Sequence, residues 1–182
     1  MTSERLFKVL GKGRVPCHGG SGTWPVAGEW LSVDGPLVLC EHGLHLCREK
    51  DLILWLGPEI WEAECEGERI DATDKVVVRK ARLVRKLDTW DERTARLFAC
   101  DCAERVLPIH EKRYPEEKRS RAAIETARRY AEGKATKEEL AAAGDAARDA
   151  AGDAARDAAW AAEREWQTAR LMAYLYPEGA GA

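Results

Sequence analysis

Ile60-Trp61-Glu62-Ala63-Glu64-Cys65 alternates apolar and acidic side chains residue by residue, the signature of a strand with one face in a core and the other in water. After a turn at Gly67, Lys75 to Leu87 is rich in valine and leucine and reads as a long final strand. Upstream, Leu6-Phe7-Lys8-Val9-Leu10 reads as an opening strand ended by Gly11 and Gly13. Trp30-Leu31-Ser32-Val33 and Leu37-Val38-Leu39-Cys40 read as short strands about an Asp34-Gly35-Pro36 turn. Cys40-Glu41-His42-Gly43-Leu44-His45-Leu46-Cys47 reads as a strand or a turn and strand, followed by a short helix from Glu49 to Leu56 closed by Gly57-Pro58. The expected fold class is α+β: a small, mostly-β domain with one short helix over residues 1–88, then an alanine-rich helical hairpin or bundle over residues 89–182.

Composition divides the chain in the same place. Five of the seven tryptophans and four of the six cysteines fall in the first ninety residues, whereas alanine dominates after residue 120. The formal net charge of the 182 residues is -3, with both halves near neutral. There is no global basic field of the kind that drives DNA binding through counterion release. No stretch approaches the roughly 18 apolar residues of a membrane span, and Met1-Thr2-Ser3-Glu4-Arg5 begins no long apolar run and no cleavage signal. The expectation is a cytoplasmic protein with reduced thiols.

Thr89 and Glu92 stand three apart, as a capping box requires, opening a helix to about Leu107 that Pro108 interrupts. Pro115 suits the first turn of a second helix, Glu116 to Glu132, ended by Gly133. Thr136 and Glu139 form another capping box, starting a third helix that runs toward Tyr176. It contains an octad, Ala142 to Asp149, that recurs unchanged over residues 150–157, with Gly144 and Gly152 at equivalent places. Because alanine offers little apolar area, Trp160, Trp166, Leu171, Tyr174 and Leu175 are expected to seek another subunit, giving a homo-oligomer.

Chemistry-bearing residues cluster in the first half. Cys40, His42, His45 and Cys47 carry ligand types that zinc takes, but strand alternation divides them between two faces unless Gly43 turns the chain, and no metal site or other cofactor is expected. Gly19-Gly20-Ser21-Gly22 can expose backbone amides to a phosphate, with His18, Trp24 and Trp30 available to stack on a ring. Lys80, Arg82 and Lys86 share a strand face and form a local basic patch. The expected ligand-binding set is therefore His18, Trp24, Trp30, His45, Lys80 and Arg82, holding a nucleotide-like small molecule.

Two segments resemble known families. Residues 92–133, with Arg96-Leu97-Phe98-Ala99-Cys100-Asp101-Cys102-Ala103 and Tyr114-Pro115, resemble helical bacterial immunity-protein sequences. The stretch Cys40 to Cys47, with Asp74-Lys75, is similar to a small domain common in bacteriophage proteins. Neither resemblance brings catalytic residues; together they imply a phage-type protein acting in conflict with a host, in the host cytoplasm. Gly43-Leu44-His45, a short helix and Trp61-Glu62-Ala63-Glu64 also follow the element order of ADP-ribosyltransferase-like folds, although that family's full histidine, tyrosine and glutamate set is not assignable here.

The leading expectation is counter-defence by sequestration of a nucleotide-like small molecule without turnover. One alternative is an ADP-ribosyl-transferring or NAD-consuming enzyme using His45 with Glu62 or Glu64. The other is a helical interaction module that blocks a host complex.

Overall fold

The computed structural model describes residues 4–148 and 160–178. The chain separates into two compact units, Met1–Trp90 and Asp91–Ala182.

The first unit is built on five antiparallel strands: β1 (Leu6–Leu10), β2 (Trp30–Ser32), β3 (Leu44–Arg48), β4 (Glu59–Asp71) and β5 (Val76–Lys86), with a 3-10 helix over Glu49–Leu54. β1 pairs with β3 and β4, and β5 pairs with β2, β3 and β4. The pairings β4–β1–β3–β5–β4 thus close a circuit, with β2 added at β5. Closure explains why Val76, Val77 and Val78 are all fully buried: a strand covered on both faces carries a continuous apolar run rather than an alternation. Leu6, Leu10, Trp24, Leu44, Leu46, Ala63, Val76, Val78, Ala81 and Leu83 form the core.

Two expected boundaries move. Gly67 does not end a strand; it sits at φ +80° within β4, where the register passes from Glu66↔Lys80 to Arg69↔Val78. β4 takes three steps there against two on β5, so a bulge absorbs the extra residue and the ladder resumes. The reversal comes later, with the Ala72 amide donating to the Lys75 carbonyl at 2.9 Å. Leu37–Cys40, expected as a strand, is a tight loop: Val38 and His42 exchange backbone hydrogen bonds of 2.8 and 2.9 Å across four residues, and Cys40 turns through φ +66°.

On β4 and β5 the long pairing carries a ladder of ion pairs. Arg85 meets Glu62, Arg82 meets Glu64, Lys80 meets Glu66 and Arg79 meets Glu68. The acidic residues that marked β4 as half-exposed are therefore the partners of the basic residues of β5.

The helical unit contains α1 (Glu92–Arg113), α2 (Arg119–Ala131), α3 (Lys137–Arg148) and α4 (Trp160–Leu175). The first cap is Asp91 with Thr94 rather than Thr89 with Glu92: the Thr94 amide donates to Asp91 Oδ1 at 2.7 Å and the Asp91 amide to Thr94 Oγ1 at 2.8 Å. Pro108 does not stop α1. The bond it forfeits would fall on the Glu104 carbonyl, and both residues lie on the exposed side of the helix, open to solvent. The Thr136–Glu139 box forms as expected, and Gly133, at φ +73°, ends the turn after α2.

Asp101 ties three helices together. Its carboxylate accepts from Arg128 of α2 at 2.8 Å, and from Arg170 and Tyr174 of α4 at 2.6 and 2.8 Å. Leu171 and Leu175 are buried, Phe98 meets Tyr174 edge-on at 6.3 Å, and Arg105 lies over the Trp166 ring at 4.6 Å. Of the residues expected to seek a second subunit, Leu171 and Leu175 are packed inside the unit and Trp166 and Tyr174 are half-buried, while the side chain of Trp160 lies outside the described residues, as does the second octad.

Burial alone would raise the Asp101 pKa, but the hydrogen bonds from Arg128, Arg170 and Tyr174 outweigh it and hold the carboxyl below its ordinary value. A depressed folded-state pKa contributes stability above the unfolded value and loses it as pH falls through the folded one. Asp101→Ala is expected to lower the stability of the helical unit by about 2 kcal/mol in denaturant unfolding near neutral pH, with the difference from the unaltered chain shrinking at acid pH.

Candidate functional site

The Gly-rich loop is closed at its neck: the Trp24 amide donates to the Arg14 carbonyl at 3.0 Å and Arg14 Nε returns a bond to the Trp24 carbonyl at 3.0 Å. Its middle is held by His18, whose Nε2 donates to the carbonyls of Trp55 and Leu56 at 2.7 and 3.2 Å, with the ring edge-on to Trp55. Gly19 and Gly20 follow at φ +90° and +89°, a conformation that glycine alone adopts freely. Beside this loop, residues of β1, β3 and the 40–43 turn leave a cavity of about 240 Å³. It is lined by Lys8, His18, His45, Trp55 and Lys75, with the thiols Cys17, Cys40 and Cys47 and the carboxylate Glu41.

Each lysine is placed by a tryptophan. Lys8, a cation between buried Phe7 and Val9, lies over the Trp24 ring at 4.9 Å and donates to the His45 carbonyl at 2.9 Å. Lys75 lies over Trp55 at 4.7 Å, and Trp55 is itself fixed by its Nε1 donating to the Asp74 carbonyl at 2.9 Å. Such cation–π contacts contribute on the order of 1 kcal/mol each and hold the ammonium groups at the cavity wall. Burial lowers the Lys8 pKa.

His45 lies within reach of both ammonium charges. Burial, then the charges of Lys8 and Lys75, push its pKa down, while the Gly43 backbone works in the opposite direction, as a carbonyl facing a ring N–H does. The imidazole is neutral at physiological pH, and its Nε2 is buried without a hydrogen-bond partner among the described residues. Burial also pushes the Cys47 thiol up to about 12 and raises that of Cys17, so neither is a ready thiolate at neutral pH.

The six residues expected from sequence fall in three places. His18 and His45 line the cavity. Trp24 is buried in the core beneath Lys8. Trp30, Lys80 and Arg82 lie at the β2–β5 edge, with both cations over the Trp30 ring at 4.5 and 4.7 Å and paired to Glu66 and Glu64. Glu62 and Glu64 border a separate depression with Trp30 and Arg69, so they do not share a cavity with His45. Lys8, Lys75 and Trp55 were missed; the available signal was a lysine in the middle of an otherwise apolar strand.

Gly43 turns the chain at φ +136°, and His42 faces the other way, its Nε2 donating to the Asp34 carbonyl. No group of three or more histidine, cysteine, aspartate or glutamate side chains among the described residues is arranged to hold a metal ion.

The helical unit supplies a relationship that the cavity does not. Residues 85–169 match the family model described as Imm-5 like putative immunity protein. The match includes the residues whose resemblance to immunity proteins was noted from sequence, and every residue lining the cavity lies outside it. No curated protein and no solved structure matches the chain. No helix among the described residues is long and apolar enough to cross a membrane.

Two outcomes follow from this geometry. A methyl group at position 43 would lie 2.3 Å from Val77 Cγ1 and 3.1 Å from Leu37 Cδ2, so Gly43→Ala is expected to destabilise the first unit by about 3 kcal/mol or more, read as a lowered unfolding midpoint. In alkylation at pH 8 followed by peptide mapping, exposed Cys40 is expected to label first, with buried Cys47 and Cys100 labelling only on unfolding; half-buried Cys102, whose thiol burial pushes up to about 11, is expected to label slowly.

Proposed function

We propose that the first unit captures a nucleotide-like small molecule without converting it, and that the chain serves phage-type counter-defence in the host cytoplasm. The observation that supports this reading is the cavity wall: Lys8, Lys75 and His45 line one small space beside a glycine loop. Cations held in place by aromatic rings suit a phosphate, since charge-assisted bonds are the strong ones. Capture rather than turnover is supported by what the wall lacks. Its one carboxylate is Glu41, and of its three thiols those of Cys17 and Cys47 are held protonated by burial, leaving Cys40 as the exposed one. His45 is separated from the glutamates with which a transferase reading would pair it.

The match of residues 85–169 to an immunity-protein model favours a second reading, in which the helical unit binds a protein partner. The two readings are compatible, because they use different units.

Incubation of the full chain with a nucleotide panel including NAD, following the melting temperature and the integrity of each nucleotide, tests capture. A raised melting temperature with unchanged nucleotide is expected. Lys8→Ala and Lys75→Ala are each expected to weaken binding about tenfold or more, while Lys80→Ala and Arg82→Ala leave it unchanged. Turnover would transfer the reading to an enzyme, and the reverse pattern of variants would move the ligand to the β2–β5 edge. A panel that stabilises nothing would remove the capture reading and leave protein binding by the helical unit.

A further inference from the structure

Lys8 interrupts the apolar run of β1: Phe7 and Val9 on either side are buried, and Lys8 itself is half-buried. A cation in such a place is ordinarily paired with a carboxylate. Among the described residues Lys8 has no ion-pair partner; its Nζ donates to the His45 carbonyl at 2.9 Å and lies over the Trp24 ring at 4.9 Å. Those contacts fix the stem and occupy one N–H, and they leave a lysine without a counter-ion in the cavity wall. Desolvation favours the free amine, and the Lys8 pKa is lowered accordingly. A lysine desolvated in a pocket is an amine made nucleophilic near neutral pH.

Two further features decide what such an amine meets. The cavity opens to solvent past Cys17, Gly19, Gly20, Cys40 and Glu41, all exposed, so a small solute reaches its wall. Lys75 lines the same cavity, and both lysine charges act on His45 and Cys47. An anionic group on Lys75 brings the rest of a small solute to the stretch of wall that holds Lys8.

We infer that Lys8 binds a small aldehyde bearing a carboxylate or phosphate as a reversible imine, with Lys75 taking the anionic group. The Lys8 ammonium gives one proton to water, and the free amine attacks the carbonyl carbon. As the C–N bond forms, the carbonyl electron pair moves to oxygen, which takes a second proton from nitrogen to give a carbinolamine. The proton first released returns to the hydroxyl, which leaves as water while the nitrogen lone pair forms C=N. The nitrogen keeps one proton, enough to retain the bond to the His45 carbonyl. This activity goes beyond nucleotide capture and does not depend on it, since the closed ribose of a nucleotide offers no carbonyl.

Incubation of the full chain with glyoxylate and sodium cyanoborohydride, followed by peptide mapping, tests the inference; the reductant delivers hydride to the imine carbon and fixes it as a secondary amine. At pH 7, Lys8 is expected to be modified about tenfold faster than exposed Lys50 and Lys137, and its rate to level off at a lower pH than theirs. Modification of Lys8 no faster than that of Lys50 would overturn the inference. Lys75→Gln is expected to slow modification of Lys8 by glyoxylate about tenfold and to leave that by acetaldehyde, which carries no anion, unchanged. An unchanged glyoxylate rate, or equal slowing with both aldehydes, would overturn the assignment of the anionic group to Lys75. If no nucleotide binds and Lys8 is still selectively modified, nucleotide capture falls while the imine stands; if a nucleotide binds and Lys8 is not selectively modified, the reverse holds.

Discussion

Val76, Val77 and Val78 hydrogen-bond to β3 on one side and to the far end of β4 on the other, and that double pairing closes the strand circuit. The remainder of the first unit depends on it. β3 is held in place between β5 and β1, and its direct pairing with β1 brings the His45 carbonyl to Lys8. The bulge at Gly67 is part of this constraint. Without the extra residue, the side chains of β4 beyond Glu66 would exchange faces, and Arg69 and Asp71 would lose the positions from which they meet Glu4 and Arg48. Arg48 in turn bonds the Ala72 and Thr73 carbonyls, fastening β3 to the β4–β5 reversal.

The cavity concentrates positive charge in a unit whose formal charge is near zero. The β4–β5 ladder accounts for how both can hold. Arg79, Lys80, Arg82 and Arg85 are each matched by a glutamate, so the exposed side of the hairpin is electrically quiet. Exposed pairs of this kind contribute little stability, about 0–1 kcal/mol each. Their larger effect is on register and on suppressing a second anion-attracting surface. Lys8 and Lys75, by contrast, are held by aromatic faces rather than by carboxylates, which leaves their charge available to a ligand.

Much of the fold was legible because it rests on local pattern: alternation in Ile60–Cys65, the buried run beginning at Val76, the Thr136–Glu139 cap. What was not legible depends on pairing between distant segments. Lys80 and Arg82 looked like a phosphate patch when β5 was read by itself, and only the register shows Glu66 and Glu64 opposite them. His18 and His45 carried a recognisable signal, a glycine loop and a histidine-rich strand. Lys8 carried a weaker one, and Lys75 was marked only by its place in the bacteriophage-domain resemblance, since its role comes from the position of Trp55 at the end of the 3-10 helix. In the helical unit, the apolar end of α4 appeared unpartnered because its cover, Asp101 with Phe98 on α1, lies about seventy residues earlier in the chain.

The central claim is that the space between Lys8, Lys75 and His45, rather than the β2–β5 edge, receives the ligand. A crystal structure of the full chain grown with adenosine 5′-monophosphate tests it most directly. The phosphate is predicted in that cavity, against Lys8 and Lys75. A nucleotide stacked on Trp30 with its phosphate on Lys80 and Arg82, and the cavity holding only water, would contradict it.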